Sequence, residues 1–426
     1  MLCRLANPPH VSRKISDHLI KLRNREFHGG NVSIPAVSAI AKLPLPVSTL
    51  DFTVVESLAG VSAADWNALV GDLPLLSHAY LHALHETGCA SEASGWRPQY
   101  ILGHDRGQLT AAMPLYLKSH SYGEYVFDWS WADAYRRHGR RYYPKLLSAI
   151  PFTPATGPRL LALDPAHRAA LSQEAVALAR RLHASSLHIL FPNPAEAAEL
   201  ALPDALHRHG IQFRWENQGY PGFAGFLATF SHDKRKKIRQ DRARVQNAGI
   251  TFRWLDGDTA TLSDWRFFYE CYANTYRAHQ STPYLSLEFF VRIKESMPRN
   301  LLLVIGCRDG EPLCAALNIH NADTLWGRYW GTREFVSGLH FETCYFQAIE
   351  FCIVRGIARF EGGAQGGHKL ARGFLPVRTH SLHWIADPDF AAAIARFLEH
   401  ESSGIGQVLD ELRESSPYKA GPLGAT

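Results

Sequence analysis

The sequence predicts an α/β (α+β) protein of two related domains in tandem, each a mixed, mainly antiparallel sheet flanked by helices. Three observations predict it. The 426 residues exceed one ordinary core and suit two domains of about 150–180 residues plus tails. A pattern recurs: Gly103 to Met113, a strand, a polar turn and a second strand, matches Gly306 to Ala316 in the second half. Each half also opens in the same order, with a strand, one or two helices and then an antiparallel hairpin.

In chain order, residues 51–57 read as a strand from their alternating Phe, Val and polar positions. Ser62 caps the next helix, with Asp65 three residues on. A second helix spans Ser77 to Thr87. Gln99 to Gly103 and Leu109 to Leu117 are adjacent strands about the turn Asp105-Arg106-Gly107. Pro165 to Ala184 is a long helix, and Leu187 to Phe191 and Gln212 to Glu216 are strands. The second round begins near Tyr220. Phe223 to Gly249 is predicted as one helix ending at a glycine cap, followed by the strand Ile250 to Leu255. Leu262 to His279 and Ser286 to Met297 are helices, and Leu301 to His320 is two strands about Asp309-Gly310. A helix from Phe390 to Glu414 closes the chain. The expected organisation is a basic extension at 1–48, an N-terminal domain at 50–219, a C-terminal domain at 220–388, and a helix and tail at 389–426.

Hydrophobic content of 46% and charged content of 20% are those of a soluble globular protein. No apolar run approaches the roughly 18 residues of a membrane span. The seven cysteines form no C-x-x-C pair and no zinc-ligand spacing, so neither a metal nor a disulfide framework is expected and a reducing cytoplasm fits. Residues 1–48 are basic but lack the apolar stretch of a secretory signal. They read as a disordered extension or a start codon placed too far upstream, with a transit-like leader as the alternative.

The densest chemistry lies at 327–373. A strand with Gly327-Arg328-Tyr329-Trp330-Gly331 is followed by His340 and Glu342 opening a helix, then by the strand and glycine-rich loop Glu361 to Gly373. Four glycines in six positions disfavour regular structure and suit a tight turn or a close ligand approach. His368 titrates near neutrality in its unperturbed state, and Lys369 and Arg372 add positive charge. The competing reading is a strand-end turn with a solvated basic face. A helix start favours anions, although Glu342 can simply complement the dipole. Candidate catalytic residues are His368, Glu342 and Tyr329. Candidate substrate-binding residues are Arg328, Trp330, His340, Gln365, Gly366, Lys369 and Arg372. The aromatic and acidic stretch 122–137 adds Asp128 and Trp129, as a pocket wall or a domain interface. Lys234, Lys237 and Arg239, on the basic run 231–244, are candidate anion contacts, either for a polyanion or as a solvated helix face.

These segments carry a resemblance. Lys118 to Trp129, Tyr142 to Leu146, Pro151 to Leu160, Lys234 to Arg239, Gly327 to Gly331, His340 to Glu342 and Gly363 to Gly366 resemble the FemAB-like bacterial family of the GNAT (N-acyltransferase) superfamily. The resemblance covers about Leu50 to Tyr418. It implies a pair of GNAT folds and transfer of an acyl or aminoacyl group to a small-molecule or peptide amine. Acyl-CoA or aminoacyl-tRNA is then a co-substrate, tRNA a possible partner, and no cofactor is tightly held. Two departures stand out. Arg333 to His340 does not match the pyrophosphate loop of acyl-CoA enzymes, and Gly367 stands where the family is expected to carry Glu. A non-catalytic module binding a cell-wall peptide, nucleotide-sugar or other anion is the alternative.

Overall fold

A computed structural model describes residues 50–419 except 201, 203, 364 and 365. The first half contains β1 (Asp51–Val55), α1 (Ala63–Val70), α2 (His78–Glu86), β2 (Trp96–Pro98), β3 (Tyr100–Asp105), β4 (Gln108–Met113) and β5 (Tyr116–Lys118). It continues with α3 (Trp129–Arg137), β6 (Lys145–Ser148), β7 (Leu161–Ala162), α4 (Pro165–Arg181), β8 (Ser186–Leu190), α5 (Pro194–Glu199) and β9 (Leu206–Glu216). The second half contains α6 (Phe223–Ala228), α7 (His232–Asn247), β10 (Ile250–Leu255), α8 (Leu262–Ala278), α9 (Leu287–Ser296), β11 (Leu301–Arg308), β12 (Glu311–His320) and β13 (Thr324–Thr332). The helix α10 (339–355), β14 (Arg359–Glu361), β15 (Leu375–Ile385) and α11 (Pro388–Glu414) complete it.

Both halves are built on one plan. In each, a helix crosses over to join two neighbouring parallel strands: α4 lies between β6 and β8, and α10 between β13 and β14. The remaining pairings are antiparallel. One sheet runs β1-β3-β4-β7; the other has eleven strands, in the order β10-β11-β12-β13-β14-β9-β15-β8-β6-β5-β2. Strand β9 leaves the first half and pairs with β14 of the second, and β15 returns to pair with β8 of the first. The two exchanged strands pair with each other over nine positions.

The apolar runs explain the layering. Leu301 to Ile305 is buried on both faces, as its unbroken hydrophobic sequence demands. Helices α2 and α9 meet where Tyr80 packs edge-on against Phe289, with ring centroids 5.5 Å apart. One cluster of buried side chains therefore spans both halves, from Trp66 through Phe152 to Tyr329. Among the described residues no helix is long and apolar enough to cross a membrane.

One local expectation is corrected, and two segments gain detail. The predicted helix Phe223 to Gly249 is broken into α6 and α7. Phe230 is fully buried against Tyr418, and the Ser231 N–H donates to Pro417 O at 3.1 Å, so the C-terminal tail overrides helix propensity. The second part of the stretch 122–137 is α3, which buries Trp131 and Tyr135. Inside α10, Glu342–Phe346 is π-helical. In an α-helix, residues five apart point about 140° apart; the wider turn brings His340 and Tyr345 onto one side, with ring centroids at 5.5 Å.

The N-terminal half encloses a charged network. Lys145 has no exposed surface; its Nζ donates to Ser121 Oγ at 2.8 Å, to Glu124 Oε2 at 2.7 Å and to Asp128 Oδ2. Tyr142 donates to the same Asp128 oxygen at 2.6 Å and meets His188 at 3.2 Å. Burial pulls Lys145 down, but its two carboxylates more than offset this and raise it. Burial pushes Asp128 up, and the Lys145 and His188 charges reverse that, holding it below the carboxylate range. Removing one charge from such a network strands the others. Lys145→Met should therefore cost about 3–5 kcal/mol, read from urea unfolding. Arg97→Met, which removes an exposed pair with Glu56, should cost less than about 1 kcal/mol.

Candidate functional site

Strand β13 pairs with β14 only at Thr324–Trp326 against Arg359–Glu361. Residues 327–332 run on without that neighbour, so the sheet splits there. At the split β13 bulges: Asn318 opposes Gly327 while Leu317 opposes Tyr329, which leaves Arg328 as the extra residue. A bulge interrupts the alternation of side chains. Arg328 and Tyr329 thus share a face, with the guanidinium 4.9 Å from the Tyr329 ring centroid. Trp330 faces the other way.

On the Trp330 face, α10 and the loop 362–373 build a basic, aromatic wall. Trp330 contacts His340 at 4.6 Å between ring centroids, and His340 lies 6.1 Å from His368. Tyr345 Oη and His368 Nε2 are hydrogen-bonded at 3.0 Å. Arg372 stacks over Phe341 at 3.4 Å and bonds the His368 carbonyl at 2.7 Å. Lys369 is buried, and its ammonium donates to Gly363 O at 3.1 Å. Gly366 has φ +108, and a Cβ there would lie 2.3 Å from the His368 ring; only glycine lets the loop fold under that imidazole.

This crowding sets the charges. His368 is open to solvent on one side; desolvation on the other, then Lys369 and Arg372, pull it down to about 4. Burial, then His368 and the neighbouring cations, takes His340 to about 3. Burial lowers Lys369 to about 7. Both imidazoles are therefore free bases at neutral pH.

On the opposite face, Arg328 Nη2 donates to Phe152 O at 2.5 Å and to Tyr329 Oη at 3.2 Å. Tyr329 packs against Tyr272 and Phe290. Phe152 and Tyr125, which also bonds Arg328, both have positive φ, at 56° and 63°. Such angles are strained for aromatic residues.

The structure thus gathers Trp330, His340, Gly366, His368, Lys369 and Arg372 on one side of the split, and Arg328 and Tyr329 on the other. Gln365 lies outside the described residues. The Glu342 carboxylate is held away from His368: Arg242 bonds both its oxygens at 2.9–3.2 Å and Gln347 donates at 2.8 Å. Asp128 belongs to the Lys145 network on β6, five strands from β13 in the sheet order; Trp129 packs against Tyr122. Lys234, Lys237 and Arg239 are exposed on α7, with Lys237 paired to Asp241 at 3.0 Å.

Sequence reasoning gave Tyr345, Tyr125 and Phe152 no role in the site and took Glu361 only as the start of the glycine-rich segment. Glu361 is the last residue paired to β13, its Oε2 is buried without a partner, and burial raises its carboxyl. For Tyr125 and Phe152 the available signal was their position inside the quoted segments 118–129 and 151–160.

Residues 57–420 match the FemAB-like family, described as peptidoglycan biosynthesis/recognition. The chain belongs to the FemAB-like family. No curated protein matches this FemAB-like chain. Among solved structures, it is similar to FemX at 11% identity and TM-score 0.51, covering 79% of this chain and 98% of that one. A lysylphosphatidylglycerol synthetase C-terminal domain from Agrobacterium fabrum gives 10% identity and TM-score 0.48 over 79% and 95%. A tandem GNAT protein from the clavulanic acid pathway gives 12% and 0.42 over 80% and 99%. At its identity the FemX likeness shows the fold alone, in which this FemAB-like chain repeats one strand plan in its two halves.

Histidine-ring NMR should find His340 and His368 neutral at pH 6, with their signals moving only below about pH 5. The ordinary histidine value is 6.5, so on acidification the unfolded chain takes up protons first. These groups therefore lower stability as pH falls from about 6.5 toward 4, and urea midpoints should drop across that window.

Proposed function

We propose that this protein transfers an aminoacyl group from an ester donor to an amine acceptor at the split between β13 and β14. The observation that carries the reading is the bulge at Arg328. It shifts the β12–β13 register just past the last β13–β14 pair, with neutral imidazoles on one face and a guanidinium on the other.

The donor side is the Trp330 face. The start of α10, where a helix dipole would attract a CoA pyrophosphate, is covered by α7: a Cβ on Gly338 would lie 3.2 Å from Asp241 O and 3.6 Å from Val245. Leu339 is buried with Val245 and Leu313. This favours a charged tRNA over acyl-CoA, and the exposed Lys234, Lys237 and Arg239 of α7 supply phosphate contacts.

In the reaction the acceptor nitrogen attacks the ester carbonyl. The new C–N bond forms and the C–O bond to the donor ribose breaks. His368 takes the proton from the amine and returns it to the leaving oxygen, with Tyr345 fixing the ring. Lys369 and Arg372 offset the charge that develops on the carbonyl oxygen, and the backbone N–H freed by the bulge donates to it. No covalent enzyme intermediate is required.

Purified protein incubated with charged tRNAs, acyl-CoAs and amine acceptors should yield acylated amine by mass spectrometry from the tRNA donors. Product from acyl-CoA alone reverses the donor assignment. No product from any donor, with ligand still bound, makes the protein a binding module. His368→Ala should lower kcat about 10²- to 10⁴-fold, and Tyr345→Phe about five-fold. Because His368 is lowered to about 4, the acid limb of the rate profile should follow deprotonation of the acceptor amine, at about 8 for an α-amino group, with no further break near 6.5.

A further inference from the structure

Arg328 is a buried-side cation without an anion. Among the described residues no carboxylate lies within 4.0 Å of its guanidinium, and its Nε is buried with no partner. Its known partners are neutral: the Phe152 carbonyl, the Tyr329 hydroxyl and Tyr125. Tyr80 lies in the same electrostatic neighbourhood. The guanidinium is thus half-buried and hydrogen-bonded to neutral groups, with no carboxylate to balance its charge. The protein also holds two aromatic residues in strained backbone conformations against this one group.

That strain is enforced from outside. Segment 122–129 is clamped by Lys145, which binds Glu124 and Asp128 on either side of Tyr125. The clamp fixes Tyr125 while the glutamate and aspartate point inward. Phe152 is held by stacking on Tyr284 at 4.8 Å and against Trp96 at 5.1 Å. Arg328 is thus presented by a bulge, surrounded by fixed hydroxyls, and left one negative charge short.

We infer that Arg328 receives a carboxylate of the amine acceptor, so that the acceptor is an amino acid or a peptide with a free carboxyl terminus. A single guanidinium flanked by tyrosines carries one positive charge, which balances a monoanionic, planar carboxylate in a fork geometry. A phosphate dianion would remain under-compensated there. The inference rests on the transfer reading only for the word acceptor, because the binding itself needs no turnover.

The test is calorimetric titration of the full chain with alanyl-alanine, with its carboxyl-terminal amide and with inorganic phosphate. The free acid should bind about 10- to 100-fold more tightly than the amide. Arg328→Gln should erase that preference, and Arg328→Lys should keep part of it. The acid–amide comparison on the unaltered protein stands even if the variants fail to fold. Equal binding of acid and amide, no saturable binding of the acid, or tighter binding of phosphate would each overturn the inference. If the acid binds selectively but no transfer occurs with any donor, the carboxylate site survives and the transferase reading falls. If transfer proceeds equally well to acid and amide acceptors, the reverse holds.

Discussion

Everything at the split depends on where β9 goes. By pairing with β14 it fixes the short strand whose early end opens the sheet beside β13. By pairing with β15 it ties that opening to the first half. The site is therefore a property of the joined sheet. The two strands that part there belong to the second half, and β9 from the first half lies on the far side of β14.

The second level of organisation is electrostatic. Lys145 and its carboxylates fill the interior of the first half with charge that a purely apolar core would avoid. What that arrangement secures is the placement of segment 122–129, and through it the position of Tyr125 beside a guanidinium on the other half. Phe152 does the same from the Pro151 to Leu160 stretch. Segments that are quoted together in the sequence turn out to be two layers of one arrangement, one buried and one facing the split.

Much of this was legible in the residues. The opening strand, helices and hairpin of each half followed from apolar periodicity and turn chemistry, whereas β2, β6, β7 and β15 did not, and β4 and β5, read as one strand, lie in different sheets. His368, Lys369 and Arg372 stood out because glycine, histidine and cations within one loop are an unusual combination, and His340 because it lies at a predicted helix start. What was not legible depended on partners far away in the chain. Ser231 looks like a helical residue until Pro417 and Tyr418 are packed against it. Glu342 looks catalytic until Arg242, one hundred residues earlier, occupies both its oxygens. The π-helical segment has no local signature, so the pairing of His340 with Tyr345 was hidden. The length of β9 was also missed: Leu206 to Gly210 alternates histidine with other residues and becomes strand only because β15 lies alongside.

The late arrival of β15 has a consequence for biosynthesis. When β8 leaves the ribosome with β6 on one side, the strand that will cover its other edge does not begin for another 185 residues, from Leu190 to Leu375. At about 5–20 residues per second the nascent chain carries an unpaired β8 edge for roughly ten to forty seconds. An edge open that long is a template for pairing with another chain. The first half of this protein is therefore complete, at Glu216, well before its β8 edge is covered by β15.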